Sequence, residues 1–404
     1  MVSPRRNVPA GFRLRLTARM DGDTLLGGEP FQLVRLKPES AARIRAWEAG
    51  EPVGDGGALA RDLVMANLAQ PLPPPLEAKV SVVIPTRDRD VLPRVHADEV
   101  IVVDDASDRP VPGALRRAVR GGAAAARNDG LRAARNEIVV LLDSDTVPQS
   151  GWLEPLLAHF NDPEVDIVAP RIVPLRDRGY EAKHSPLDRG PDAARVVPYG
   201  RVPFVPGAAL LVRSHVRFDE TFTHGGEDVE LVWRTPYVRY EPTSHVAHAH
   251  RTEPRAWLAR RVYYGRTAAQ ISARHPGNAR PLHVSPWTAA AWTAALFGRP
   301  KAAVAITAVA TALLARETPP RVAAELAGLG TLKSGRVVAD ALTRHWWPLA
   351  LAHPRTRVAF LTKPPLRIVD DLAYGTGVWL GCMQHRTLDP LLPAKAWKLV
   401  RRTL

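Results

Sequence analysis

Three runs of apolar residues, at 80–84 (VSVVI), 100–103 (VIVV) and 138–142 (IVVLL), are continuous rather than alternating and rich in Val and Ile. Runs of this kind belong to strands covered on both faces, as in a parallel sheet. Between the second and third lies the alanine-rich stretch 123–135, which favours a helix. Strands alternating with helices predict right-handed crossovers and an open α/β sheet, whose ligands bind beyond the carboxyl ends of the strands. Ahead of it the pattern is that of a small α+β module. It predicts short strands at 12–18 and 31–35, a glycine turn at 25–30 (LLGGEP), and helices over 39–48 and 57–68. Prolines between Gln70 and Pro75 make an extended spacer, so a linker is expected over 71–78. After Arg280 the strand signal fades. The stretches 284–297 and 302–315 are each 14 residues without a charge, short of the ~20 needed to span a bilayer; a weaker apolar segment follows at 346–352. The expected organisation is a module at 1–70, the linker, an α/β domain at 79–280 and a helical region at 281–404.

Charge sharpens the last of these. The chain has 404 residues and a net charge of +14, but from Arg251 onward there are 23 Lys+Arg against 7 Asp+Glu, so the excess belongs wholly to the final third. Seven of the ten tryptophans fall there too: Trp257, Trp287, Trp292, Trp346, Trp347, Trp379 and Trp397. Basic residues and tryptophans flanking short apolar helices suit an anionic membrane surface, and the expectation is a protein held peripherally or monotopically at the cytoplasmic face of the cell membrane. No zinc, RRM or helix-turn-helix signature accompanies the charge, which argues against nucleic acid as partner. Cys382 is the one cysteine, which excludes a disulfide scaffold and a cysteine metal site. The first residues contain no apolar signal segment, and a reducing, cytoplasmic compartment is expected.

The candidate chemistry sits where the predicted strands end. The first run leads into Pro85, Thr86, Arg87 and Asp88, the second into Asp104 and Asp105, and the third into Asp143-Ser144-Asp145, a D-x-D. Hard cations such as Mg²⁺ or Mn²⁺ take oxygen ligands and are commonly held by one or two carboxylates plus substrate phosphates. Paired aspartates in a turn equally serve to cap backbone N–H groups. Taken with the ARNDG stretch at 126–130, which includes Arg127 and Asn128, the three strand ends resemble those of the family-2 inverting glycosyltransferases of GT-A fold. The resemblance implies a Rossmann-like nucleotide-diphospho-sugar domain. Its nucleotide sugar would be held by Pro85, Thr86, Arg87, Asp104, Asp105, Arg127, Asn128, Asp143 and Ser144, and its metal by Asp145 with Asp143.

The likeness continues through 205–213, similar to the family's acceptor-side strand, and through 226–234 (GEDVELVWR), similar to its ED-x-x-L-x-x-R helix. It implies Asp228 as catalytic base, Glu227 as its neighbour or substitute, and Trp233 and Arg234 on the acceptor side. An acidic first helical turn that merely complements the helix dipole is the plainer reading of the same residues. In many of these enzymes a histidine after the next strand completes the metal site, a position matched by His248, the first choice, or His250. Alternation puts these two on one face of an extended segment and His245 on the other.

Outside the sheet, the segments 25–36, 260–266, 274–276, 345–351 and 370–379 resemble the glycosyltransferases of mycofactocin systems. This implies UDP-glucose as donor, the peptide-derived mycofactocin precursor as acceptor and a β-linked oligosaccharide as product. The N-terminal module is also somewhat similar to small peptide-binding domains. An envelope polysaccharide or glycolipid transferase, and an inactive membrane-attached scaffold, are the competing readings. Departures from the family lie in the short connections: nine residues between Arg89 and Glu99, a compressed 111–122 with no evident strand, and only 235–237 after the ED helix.

Overall fold

The structure is a computed structural model, describing residues 6–89, 91–176, 178–250, 253–394 and 399–404. Trp397, one of the seven tryptophans counted above, lies outside them. The chain forms two compact units, Met1–Thr252 with Leu399–Leu404, and Glu253–Lys398. The boundary thus falls at 252/253 rather than at 280, and places residues 253–280 with the helical region.

The N-terminal module has strands β1 (Arg13–Leu16), β2 (Arg19–Asp21), β3 (Thr24–Gly27), β4 (Gln32–Arg35) and β5 (Ala69–Leu72), with helices Pro38–Glu48 and Gly57–Met65. The expected strands and helices are there, but β2, β3 and β5 were not foreseen. β5 pairs with β1 antiparallel, so the proline stretch begins as a strand and not as a free linker. Its Pro71 sits where only β1 lies alongside, a position an edge strand tolerates.

From Val80 the expected sheet follows: β6 (Val80–Thr86), β7 (Glu99–Asp104), β8 (Leu115–Arg116), β9 (Ile138–Leu142), β10 (Thr146–Pro148), β11 (Ile167–Pro174), β12 (Ala194–Arg195), β13 (Ala209–Arg213) and β14 (Val238–His248). Their order is β10-β14-β11-β13-β9-β6-β7-β8, with β12 on β14. The four strands β8, β7, β6 and β9 are parallel, whereas β13 runs antiparallel to β9 and begins the mixed half. β8 is a correction: residues 111–122 do hold a strand, of two residues. The described residues joining β6 to β7 form no helix, as their shortness requires. The helix Gly122–Ala133 packs on β6 so closely that a Cβ at Gly130 would lie 2.2 Å from Val83 Cγ1.

Module and sheet share one core. Phe12, Leu25, Ile44, Trp47 and Leu63 belong to the same buried cluster as Val82, Ile84, Val140 and Val168. The Arg61 guanidinium crosses from module to sheet domain and meets Asp162 at 2.8 Å, both side chains being buried.

The second unit is helical among its described residues. Helices Pro286–Leu296 and Pro300–Ala315 cover the two uncharged stretches, and Trp347–Ala352 the third. No described helix is long and apolar enough to cross a membrane. Residues 400–403, assigned above to the helical region, instead form β15 (Val400–Thr403), which adds parallel to β4 in the module's sheet. Two local pairings explain this: β-branched Val400 and Thr403 suit a strand, and Leu404 closes the ladder with hydrogen bonds to Arg35 and Lys37.

Candidate active site

The antiparallel pairing of β13 with β9 puts Ala209 opposite Leu142, so the residues just outside both strands, Gly207 and Asp143, come together at the carboxyl end of the sheet. The Asp143 amide donates to the Ala208 carbonyl at 2.9 Å. Gly225 and Gly226 both have positive φ, 83° and 87°, and this sharp turn aims the N-terminus of the helix Glu227–Arg234 at the same point.

A buried guanidinium ties these pieces together. Arg127, 3% exposed, reaches from the helix Gly122–Ala133 and donates to Asp143 Oδ1 at 2.7 Å, Glu227 Oε1 at 2.9 Å and the Gly207 carbonyl at 3.0 Å. Burial alone would drive the proton off, yet Asp143 and Glu227 outweigh it and hold Arg127 firmly charged. From the preceding peptide unit of the same residue, the Gly207 N–H donates to Asp228 Oδ2 at 2.9 Å, and the Val229 N–H donates to Asp228 Oδ1 at 2.8 Å. Each Asp228 oxygen therefore keeps a free lone pair. Burial, with Glu227 alongside, pushes the Asp228 carboxyl up to about 6, against the opposing Gly207 N–H and Arg127. Burial likewise raises Asp143, aided by Asp145 and opposed by Arg127.

Asp145 leaves the sheet two residues later. Its Oδ2 accepts from Arg89 at 2.9 Å and its Oδ1 lies 3.6 Å from His248 Nε2. β10 pairs with β14 so that Thr146 stands opposite His248, which is what brings the D-x-D to the histidine. His248 is buried, with Nδ1 lacking a partner, and burial keeps the ring neutral by lowering its pKa despite Asp145. The His250 ring stands edge-on to it, centroids 5.0 Å apart, with its own Nε2 buried and unpartnered. Ser144 is half-buried beside them.

The remaining expected residues divide clearly. Thr86 ends β6 directly opposite Asp104, and its buried Oγ1 has no partner among the described residues. Pro85 is half-buried, while Arg87 is exposed and pairs with Asp88 at 3.3 Å. Asp104 is fully buried and spent on its own loop. It accepts from Ser107 N at 2.8 Å, Val111 N at 3.3 Å and Arg116 at 2.5 Å, bonds that overcome burial and lower its pKa to about 2. Asp105 accepts from Gly121 N and Gly122 N, both at 2.8 Å, and so caps the helix that carries Arg127. Asp104 and Asp105, expected from the resemblance to hold the nucleotide, thus also hold their own loop and pair with Arg116 and Arg117. Asn128, also expected to hold the nucleotide, clamps both backbone groups of Phe218 and donates to Glu220. Trp233 donates to the Pro203 carbonyl at 2.6 Å, and Arg234 to Glu230 at 2.8 Å and the Arg217 carbonyl. Both lie at the far end of their helix, roughly 9 Å from Asp228 at 1.5 Å per residue. They brace that helix rather than face the carboxylate cluster.

Sequence reasoning missed two participants, Arg89 and Gly207. Arg89 stands in a charged loop with no pattern to distinguish it. Gly207 was inside the acceptor-side motif, and the proline before it signals a turn but not the hydrogen bonds that its N–H and its carbonyl make. A cleft of about 420 Å³ opens at the loops after β6 and β7, lined by Asp88, Arg89, Asp108, Arg109 and Val111 among others.

Residues 81–217 match the model of the family "Glycosyl transferase family 2". The "Pre-mycofactocin glycosyltransferase" of Mycobacterium tuberculosis is 37% identical, over 96% of this chain and 98% of its own length. That alignment runs over 464 positions, so the relative has segments with no counterpart here, in keeping with the short connections noted above. The mouse polypeptide N-acetylgalactosaminyltransferase 12 is 36% identical over 94 residues, 20% of this chain and 16% of its own. Among solved structures, a mannosyltransferase from Pyrobaculum calidifontis, in complex with GDP-Man and Mn²⁺, aligns at 17% identity with a TM-score of 0.39, over 75% of this chain and 88% of that one. The chain is a family-2 glycosyltransferase and belongs to the pre-mycofactocin glycosyltransferases.

Proposed function

We propose that the chain is a metal-dependent inverting glucosyltransferase, moving glucose from UDP-glucose to the mycofactocin precursor and building a β-linked oligosaccharide. The observation that carries this is the buried Arg127 guanidinium, which donates to Asp143, to Glu227 and to the carbonyl of Gly207, whose N–H in turn donates to Asp228, so that the D-x-D side and the ED side of the cluster are held together.

Asp228 is the base. Its carboxylate takes the proton of an acceptor hydroxyl as that oxygen attacks the anomeric carbon and the bond to the nucleoside diphosphate breaks on the opposite side. One displacement inverts the centre, and no covalent nucleophile is needed. Arg127 fixes Glu227 and Asp143 so that neither carboxylate swings into the attacking path. Thr86 Oγ1, buried at the end of β6 without a partner among the described residues, is a group free to hydrogen-bond the nucleobase.

A divalent cation fits these residues in a limited way. Among the described residues no group of three or more His, Cys, Asp or Glu is placed to hold an ion. Asp145 Oδ1 and His248 Nε2, 3.6 Å apart, offer two ligands, with the neutral ring in the form a ligand needs. Donor phosphates would complete the shell, the usual arrangement for Mg²⁺ or Mn²⁺. When bound, the ion supplies charge compensation at the departing diphosphate. We also place the basic helical unit against the cytoplasmic face of an anionic membrane.

The purified chain with Mn²⁺ and a panel of nucleotide sugars is expected to release UDP from UDP-glucose when the precursor is present, and Asp145→Ala to abolish the release. Transfer to a polyprenyl or glycan acceptor but never to the precursor would overturn the acceptor, and no turnover with any donor would leave a scaffold.

A further inference from the structure

The second unit holds a cavity of about 810 Å³ that the glycosyl transfer proposed above does not use. Its walls are Trp292, Leu296, Val338, Leu342, Val358 and Ala359, all apolar. Its volume lies within the roughly 300–1,000 Å³ usual for small-molecule sites. The rim is different in kind: Arg336, Arg355, Lys363 and Arg367 stand there against a single carboxylate, Asp340.

Counting partners shows where the charge is unanswered. The Lys363 ammonium pairs with Asp340 and Asp371. Arg367 lies 3.7 Å from Asp370 and 3.5 Å from Asp371, but those two buried carboxylates also serve Arg261 and Arg344. Three carboxylates thus hold four cations behind one side of the rim. Arg355 donates to a neutral acceptor, the Phe297 carbonyl at 2.6 Å, and Arg336 has no ion pair among the described residues. The cavity is therefore largely apolar inside and carries two exposed guanidinium groups that make no ion pair among the described residues, the nearby Asp340, one helical turn from Arg336, being paired with Lys363.

A purely apolar guest would leave those guanidinium groups unanswered, and an inorganic anion would leave the walls unfilled. We propose that this cavity binds a single-chain amphiphile, its hydrocarbon tail against the walls and a phosphate or carboxylate head at Arg336 and Arg355. Burying the tail contributes about 0.8 kcal/mol per CH₂, and a guanidinium suits an oxyanion head through paired, charge-assisted hydrogen bonds. The site is distinct in residues from the carboxylate cluster of the first unit, and its test does not depend on turnover.

The full chain is titrated calorimetrically with dodecyl phosphate below its critical micelle concentration, and separately with dodecyl maltoside and with inorganic phosphate. One saturable site is expected for dodecyl phosphate, binding about tenfold or more weaker for the neutral amphiphile, and none for phosphate. Arg336→Glu should weaken dodecyl phosphate by about tenfold or more without changing the melting temperature. Val338→Trp should fill the cavity and abolish binding; should that variant not fold, Arg336→Glu decides. Equal affinity for the neutral amphiphile, binding of phosphate alone, or full affinity in Arg336→Glu overturns the proposal. So does binding to phosphatidylglycerol vesicles with none to the monomeric amphiphile, which would assign the charge to a bilayer surface.

Discussion

Asp228 illustrates how one carboxylate is prepared for proton transfer. It needs to be ionised to accept a proton, yet basic enough to want one. The helix N-terminus and the Gly207 N–H favour the ionised form, while burial and Glu227 oppose it and win, bringing the group to about 6. The sign of the consequence is fixed: below about pH 6 the base is protonated and unable to act. The profile of kcat/KM against pH should fall tenfold per unit on its acid side with a limb near 6, and Asp228→Asn should lose turnover by at least ~100-fold while still binding UDP. A full rate at pH 5, or an active Asn variant, removes Asp228 from the role. At this scale the sequence was informative wherever a motif stands for chemistry. Arg127 joins Asp143 to Glu227, and Asp145 lies 3.6 Å from His248, so residues singled out by separate motifs are neighbours in the fold. The sequence was silent on the second use of a polar residue in holding backbone, as at Asp104, Asp105 and Asn128. Both uses select the same residue types, and only the hydrogen-bond partners tell them apart.

Among elements, legibility followed burial. Strands β6 and β9 announce themselves because nearly every position is buried, whereas β7, expected to be covered on both faces, leaves Val100 46% exposed and is legible from its apolar run alone. β2, β3 and β8 are strands of two to four residues, too short to carry a period for a reader to find, and β2 and β8 also have exposed positions. β5 and β15 are strands only because a partner strand, far away in sequence, offers its edge. The helices of the second unit show a further device that no hydropathy pattern reveals. Helix Pro254–Arg274 crosses Pro365–His385 at glycines: a Cβ at Gly377 would lie 2.1 Å from the Val262 carbonyl oxygen, and one at Gly265 2.0 Å from that of Tyr374. Backbone cannot retreat as a side chain can, so the two helices would have to separate. Gly377→Ala is expected to destabilise by about 1–3 kcal/mol or more, the cost of overpacking a close contact. Gly328, whose Cβ would meet nothing within 4 Å, is the matched control, and its Ala variant should be neutral or slightly stabilising. Calorimetric melting of the two variants checks this; equal melting temperatures would mean that the glycines are not what sets the crossing.

For the whole molecule, the net charge of +14 means something different once it is divided. The first unit is close to neutral and holds the carboxylates of the candidate site, and its N-terminal module is built into the same core as the sheet, so neither is a basic nucleic-acid surface. The excess lies with the helical unit, and so do most exposed large apolar side chains. Val304 is 70% exposed, Leu332 70%, Leu349 65% and Leu361 84%, and the 16-residue helix Pro300–Ala315 buries only Ala310. Apolar groups turned outward beside arginines are costly in water, yet suited to a headgroup interface, where each basic residue contributes ~1 kcal/mol and the field decays within a Debye length of ~8–10 Å. Attachment of the kind proposed above would rest in large part on the basic residues. It is therefore expected to be salt-sensitive: in cell fractionation the protein should sediment with membranes at low ionic strength and leave them in a wash of about 1 M salt, where the Debye length falls to ~3 Å. The Val304→Glu, Leu361→Glu double variant should remain in the supernatant at either ionic strength without loss of melting temperature. A wild-type chain that stays in the supernatant at low salt would show that the charge faces another partner, with the Arg336 cavity the next place to look.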